Sequence, residues 1–262
     1  ALGPGVTGFR EDQRVGLFWL AWACGKCEFC GRGQENLCPE AQFTGYTVDG
    51  GFAEYACAFA DFALPLSEEE LPEEQAPLLC AGVVGFRALR LSGARAGETL
   101  GLYGFGASAH LVLQCARFLG MRVFVFTRSP AHQEQARELG AEWVGGPRER
   151  PPAPVDAAIV FAPAGWIVPE ALASTRPGGT VVLAGIHMTP VPEMPYRLLW
   201  EERVLRSVAN ATRRDAQEFL DLAEQAGVRP AVEVLPWEAA GQALVRLKRA
   251  ETRGALVLRL EP

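Results

Sequence analysis

Four cysteines, Cys24, Cys27, Cys30 and Cys38, fall in one short run, CGKCEFCGRGQENLC, with the spacing C-x2-C-x2-C-x7-C. Four thiolates this close on a glycine-containing loop can surround one tetrahedral Zn2+ with no ligand from elsewhere. Such a site is closed to water and substrate, so it organises a loop and leaves the chemistry to another part of the chain. The same residues could instead form two disulfides, or hold an iron–sulfur cluster, whose first spacings overlap with C-x2-C-x2-C. Two features weigh against disulfides. The first residues, ALGPGVTGFREDQRVG, contain no signal-like apolar stretch, and the remaining Cys57, Cys80 and Cys115 are scattered and odd in number.

A second chemical pattern is Gly104-Phe105-Gly106-Ala107-Ser108-Ala109, which follows an apolar run and opens a helical one. In this G-x-G-x-x-A order the first glycine permits a tight turn, the second lets backbone approach a pyrophosphate, and the small Ala109 lets helix and strand pack closely. N–H groups near Ala107 and Ser108 would face the phosphates. The next apolar run ends at Phe126. There an NAD-preferring site commonly carries an acidic residue, whereas this chain has Thr127-Arg128-Ser129. A 2′-phosphate could take a charge-assisted bond from Arg128 and hydroxyl bonds from Thr127 and Ser129, which favours NADP over NAD. The competing reading makes Arg128 a solvated surface residue and the site indifferent to the 2′ position. Dinucleotide chemistry needs no electron-transfer centre, and this sets the iron–sulfur reading of the cysteines below zinc.

These groups must be positioned by a chain of 262 residues, long enough for one large domain or two smaller ones. With 31 acidic against 25 basic residues, there is no general electrostatic attraction to nucleic acid or to an anionic membrane. The longest apolar runs are too short to span a bilayer, and the expectation is a soluble, cytoplasmic protein.

Residues 1–66 are rich in glycine, aromatics and short apolar stretches such as Val15–Ala23 and Phe52–Phe59, a β-rich, loop-heavy pattern. The acidic segment after Ser67 leads into a helix-like stretch through about Ser92. From Thr99 the pattern alternates. Strands are expected at Thr99–Tyr103, Arg122–Phe126, Glu142–Val144, Val155–Phe161, Thr180–Ala184 and Arg203–Val208, with helices at Ser108–Leu119, Ala131–Leu139 and Trp166–Ser174. Six buried strands with intervening helices describe an α/β protein with a doubly wound parallel sheet of Rossmann type. Two further helices, Asp215–Gln225 and Trp237–Arg249, and a strand, Ala255–Leu260, complete the expectation.

The cysteine spacing, the glycine turn and the order of several short segments together resemble the zinc-dependent alcohol dehydrogenases of the medium-chain dehydrogenase/reductase superfamily. The segments are Asp12-Gln13-Arg14-Val15-Gly16, Gly45-Tyr46, Gly50-Gly51-Phe52-Ala53-Glu54-Tyr55, Ala76-Pro77-Leu78-Leu79-Cys80-Ala81-Gly82-Val83, and Arg176-Pro177-Gly178-Gly179 before a strand ending Ala184-Gly185-Ile186. The resemblance implies a β-rich GroES-like catalytic domain bearing the structural-zinc lobe, with residues 1–80 as its first part and 214–262 as its C-terminal return. Residues 81–213 would be the Rossmann domain, with Ala184, Gly185 and Ile186 adding to the cofactor site. It implies a hydride transfer between a small alcohol or aldehyde and NADP or NAD, in a homodimer or homotetramer.

Cys80 would be one ligand of a second, catalytic zinc. The family's other ligands, an early cysteine and a histidine beside a glutamate, have no counterpart from Ala1 onward, so an N-terminally incomplete chain is expected. His110 and His132 read as structural or solvated, and so does His187, which is also a candidate for lining the substrate pocket. Val84 stands where relatives often have threonine, and Arg253-Gly254 reverses a common Gly-Arg pair. Two alternatives remain: a non-catalytic remnant that binds dinucleotide and zinc, and a zinc-independent NADPH quinone reductase, against which the cysteine quartet and Cys80 both argue.

Overall fold

The computed structural model describes residues 1–249 and 251–260 and begins with short strands, because turns interrupt its early sequence every few residues. The run Val15–Ala23 splits into β1 (Val15–Leu17) and β2 (Leu20–Trp22). A short helix, α1 (Glu28–Gly31), lies inside the cysteine run, and β3 (Gln42–Phe43) and β4 (Ala63–Pro65) follow. β1 pairs antiparallel with β4, and β2 with β3. The stretch Phe52–Phe59 forms no strand. Phe52, Phe59 and, at 90% exposure, Tyr55 face solvent, and no neighbouring edge among the described residues takes up the segment's backbone hydrogen bonds.

The expected helix before Ser92 is broken. It runs as α2 (Pro72–Gln75), a 3₁₀ turn Ala76–Leu79, and α3 (Ala81–Ser92). Pro77 has no N–H to give to an α-helical bond, so the chain tightens into the 3₁₀ turn and resets at Cys80. Gly93, at φ 70, closes α3 in the left-handed conformation.

The centre is built from β5 (Thr99–Tyr103), α4 (Ala107–Phe118), β6 (Arg122–Phe126), α5 (Pro130–Glu138), β7 (Trp143–Gly145), β8 (Val155–Val160), α6 (Ile167–Ser174), β9 (Thr175–Leu183) and β10 (Val204–Ser207). The six strands form one sheet in the order β10-β9-β8-β5-β6-β7, and every pairing is parallel. All six strands expected from the sequence are therefore present. β9 starts earlier than expected, at Thr175, and keeps Arg176–Gly179 as an irregularity in its pairing with β8.

Alternation along β6 shows how the sheet is covered. Val123 and Val125 join the core beneath α3 and α4, while Phe124 and Phe126 face the opposite side with Trp143 and α6 residues Val168 and Leu172. Burying each such side chain contributes about 1.5–3 kcal/mol, so a strand apolar on both faces is stable only between two layers of helix.

α7 (Arg213–Ala226) begins at a capping box in which Thr212 and Asp215 satisfy each other's backbone N–H groups. Its Phe219 lies against Phe86 and over Gly82, where any Cβ would come within 2.3 Å of the ring. The chain leaves this layer at β11 (Val232–Pro236), crosses through α8 (Ala240–Lys248), and pairs β12 (Ala255–Arg259) parallel to β11. Arg259 then reaches Glu73 on α2, which joins the last strand to the first part of the chain. No helix among the described residues is long and apolar enough to cross a membrane.

Candidate functional site

The four sulfurs of Cys24, Cys27, Cys30 and Cys38 lie within 4.8 Å of one another, with Cys38 buried and the others half-buried. A zinc tetrahedron with bonds of about 2.3 Å has edges of about 3.8 Å, so the four need contract only slightly around one ion. Cys27 caps α1, its sulfur accepting from the Cys30 N–H at 3.5 Å, and that amide holds its thiol down to about 7. Cys30 is pushed up to about 12, by burial first and then by the neighbouring thiols. Four thiolates at this spacing would repel one another, and a divalent cation at their centre removes that cost. The donor set thus fits Zn2+. A multi-atom cluster would hold the sulfurs further apart, which disfavours the iron–sulfur alternative.

Between Cys30 and Cys38 the lobe docks on the Rossmann layer. Both carboxylate oxygens of Glu35 accept from the Arg213 guanidinium at 2.8–3.1 Å, and Oε1 also accepts from the Arg213 backbone N–H at 2.7 Å. Asn36 donates to the Ala209 carbonyl at 2.7 Å, and the Arg213 guanidinium sits over Phe62, 4.3 Å from its ring centre. The four-cysteine loop is in this way fastened to the residue that opens the helix after Thr212.

The glycine turn opens a cleft of about 760 Å3 at the point where the strand order reverses between β5 and β8. In open α/β sheets this is where ligands bind. Gly104, at φ 88, donates its N–H to the Phe126 carbonyl, and a Cβ there would lie 2.8 Å from the Ala162 nitrogen, so only glycine fits. Gly106 is the N-cap of α4 and no side chain caps it. A Cβ at Gly106 would meet nothing within 4 Å, which leaves the helix N-terminus open to the cleft with its first N–H groups free to take an anion. Ala107 and Ser108 lie at this mouth, whereas Phe105 and Ala109 are buried and act by packing.

On the far side of the turn, Thr127 is buried and its carbonyl accepts from Gln133. Ser129 caps α5 by accepting from the His132 N–H. Arg128 is exposed at the cleft wall, and among the described residues no carboxylate lines the cleft. Ala184 reaches the cleft, but Gly185 and Ile186 do not line it, and Ile186 is 70% exposed. His187 is also exposed outside the cleft.

Cys80 sits at the junction of the 3₁₀ turn and α3, open to solvent on one side, with surrounding protein pushing its thiol up from the ordinary value. Its helix is keyed to the cofactor turn, since Gly85 packs on Val112 and the Ser108 carbonyl so closely that a Cβ would meet Val112 at 2.7 Å. Among the described residues no group of three or more His, Cys, Asp or Glu donors gathers around Cys80. Arg253 pairs with Glu138 and does not line the cleft.

The opposite wall of the cleft, Phe161, Ala162, Pro163, Ala164, Trp166 and Ile167, was not singled out from the sequence, nor was Pro147, and His132, expected to be structural or solvated, lines the cleft as well. One signal was available. Once β8 is the fourth strand of a doubly wound sheet it lies beside β5, and the loop after it must border the crevice.

A family model described as zinc-binding dehydrogenase matches residues 109–225, and one described as alcohol dehydrogenase GroES-like domain matches residues 1–68. The Mycobacterium tuberculosis protein named "Probable alcohol dehydrogenase AdhA" is 42% identical over 260 residues, which take in 98% of this chain and 75% of the relative. An alcohol dehydrogenase of Geobacillus stearothermophilus is 37% identical over 268 residues, covering 99% of this chain and 79% of its own. Among solved structures, a cinnamyl alcohol dehydrogenase of Sorghum bicolor superposes with a TM-score of 0.90 at 27% identity, covering all of this chain and 80% of that one. One from Helicobacter pylori, complexed with NADP(H), has a TM-score of 0.87 at 21% identity over 98% of this chain and 78% of its own, and shares the fold.

Proposed function

Since the chain belongs to the zinc-type alcohol dehydrogenases of the medium-chain dehydrogenase/reductase superfamily, we propose that it moves a hydride between a small alcohol or aldehyde and NADP, in preference to NAD. The hydride leaves the carbinol carbon for C4 of the nicotinamide, and the hydroxyl proton is released. The observation that carries the cofactor reading is the uncapped N-terminus of α4, opening at Gly106 into a cleft whose wall bears Arg128 and, among the described residues, no carboxylate.

In this reading Gly104 and Gly106 shape the turn, and the first N–H groups of α4 take the pyrophosphate. Arg128 takes the 2′-phosphate at the cleft wall. Thr127 and Ser129 contribute by holding the Arg128 loop, since one is buried and the other is engaged as the α5 cap. Cys24, Cys27, Cys30 and Cys38 hold a structural zinc. Cys80 would hold a catalytic zinc, for Lewis-acid polarisation of the alcohol oxygen, only together with further donors, and no group of three or more gathers around it among the described residues. Cys80 itself contributes a thiol fixed at the start of a helix that packs on Ser108.

We assign residues 1–80 and 214–262 to the catalytic domain and 81–213 to the Rossmann domain, with a cytoplasmic location. The open edge of β10, where Val204 is exposed, supports edge-to-edge pairing into a homodimer or homotetramer. Cofactor choice is tested by titrating NADPH and NADH fluorescence. Arg128→Ala should weaken NADPH about tenfold and leave NADH within about twofold, the loss of one charge-assisted contact. Equal affinity of the unaltered chain for both cofactors, with no effect of the substitution, would refute the NADP preference.

A further inference from the structure

We propose that His110 is a positioning residue for the dinucleotide: its ring pins the Gly106 carbonyl and thereby aims the Ala107 N–H at the pyrophosphate. This rests on the cofactor site proposed above. His110 lies one turn into α4 and is 1% exposed. Its two ring nitrogens are both engaged, Nδ1 with the Gly106 carbonyl at 3.2 Å and Nε2 with the backbone N–H of Ala231 at 3.0 Å.

A backbone N–H can only donate, so Nε2 must be the acceptor. In the neutral ring Nδ1 then carries the hydrogen and donates to Gly106, and burial favours that neutral form. The Gly106 carbonyl receives a second bond from the His110 backbone N–H at 3.2 Å. In a trans peptide C=O and N–H point in opposite directions, and none of the peptide bonds among the described residues is cis. Holding the Gly106 carbonyl down the helix therefore turns the Ala107 N–H outward, into the open mouth of α4.

Glycine at this position brings close backbone approach but also a freely rotating peptide, and the ring removes that freedom. The other end of the ring latches the segment leading into β11. Gln114, one turn further along α4, grips the same segment through both the N–H and the carbonyl of Arg229. A single imidazole thus joins the phosphate turn to the C-terminal return.

Two substitutions separate these roles. His110→Asn keeps an amide N–H at the Nδ1 position and loses the Ala231 bond, whereas His110→Gln keeps an acceptor for Ala231 and loses the Gly106 bond. Calorimetric titration with ADP-ribose should show His110→Asn within about threefold of the unaltered chain and His110→Gln about tenfold weaker. A merely structural role would rank the two variants by their melting temperatures. The positioning role ranks Asn above Gln in affinity whatever their melting order. Equal affinities, or affinities that follow the melting order with Gln the tighter binder, overturn the proposal. If His110→Gln does not fold, a tenfold loss in His110→Asn overturns it. An unaltered chain that binds no ADP-ribose instead overturns the cofactor site, and with it the role of His110.

Discussion

Glu35→Gln should destabilise the protein, and the effect should depend on the metal. The Glu35 side chain is 12% exposed and that of Arg213 is 41% exposed, so the pair lies between the buried and surface limits. Removing one partner of a buried pair costs about 3–5 kcal/mol, and surface pairs are worth about 0–1 kcal/mol. A cost of about 2 kcal/mol follows for replacing the carboxylate, which also weakens the acceptor for the N–H of Arg213 at the start of α7. For a chain of this size that is a fall in Tm of about 4–8 °C.

The dependence on metal follows from the position of Glu35, three residues before Cys38 in a lobe with little apolar core of its own. With zinc bound, the cysteines fix the lobe and the full penalty is felt. After chelation the lobe loses its anchor, Glu35 no longer docks reliably, and the penalty should shrink below about 0.5 kcal/mol. Thermal and urea melts of both proteins, with zinc and after EDTA, measure this directly. An equal penalty in the two conditions would show that the lobe holds its shape without the metal, and would refute the coupling.

The other expectations concern the core and the cleft. Gly104→Ala forces a side chain onto a residue at φ 88 and against the Ala162 nitrogen, so NADPH affinity measured by fluorescence should fall at least about tenfold; an unchanged affinity would mean the turn does not set the phosphate position. Asp215 is subject to burial, which raises its pKa, but the Thr212 hydrogen bonds and the Arg87 charge prevail and hold its carboxyl below the ordinary 3.8. A depressed native pKa stabilises the fold above the unfolded value and is lost as pH falls through the native one. Asp215→Asn should therefore be less stable by about 2–3 kcal/mol at pH 7, and the gap in urea midpoints should close below about pH 4; a gap that persists in acid would show that charge is not the cause. Phe219→Ala should cost about 3–5 kcal/mol by denaturant titration. Gly82→Ala should cost about 1–3 kcal/mol by overpacking and be partly rescued by Phe219→Leu, and a lack of rescue would place the strain elsewhere.

The parts of this molecule that could be read from sequence are those whose physics is local. The cysteine quartet closes within one loop, the glycine turn is set by residues adjacent in the chain, and the strands of the sheet announce themselves by apolar runs. Boundaries slipped where a neighbour decided them. Glu142–Val144 became Trp143–Gly145 because the register with Phe124–Phe126 fixes which residues pair. Phe52–Phe59 has strand composition without strand partners, and composition alone cannot supply an edge. The cleft is the harder case, because its second wall follows β8, and only the strand order brings that loop to face the glycine turn. His110 looked like a helix residue of no consequence for the same reason. The acceptor of its Nδ1–H is one helical turn away, but the donor to its Nε2 is Ala231, far along the chain and beyond five further strands. A tautomer is chosen by both partners at once, so no window of sequence around the fingerprint could have revealed which nitrogen faces Gly106. That choice exists only after the C-terminal segment has returned to pack on α4, which makes the aim of the phosphate turn a property of the assembled fold rather than of its motif.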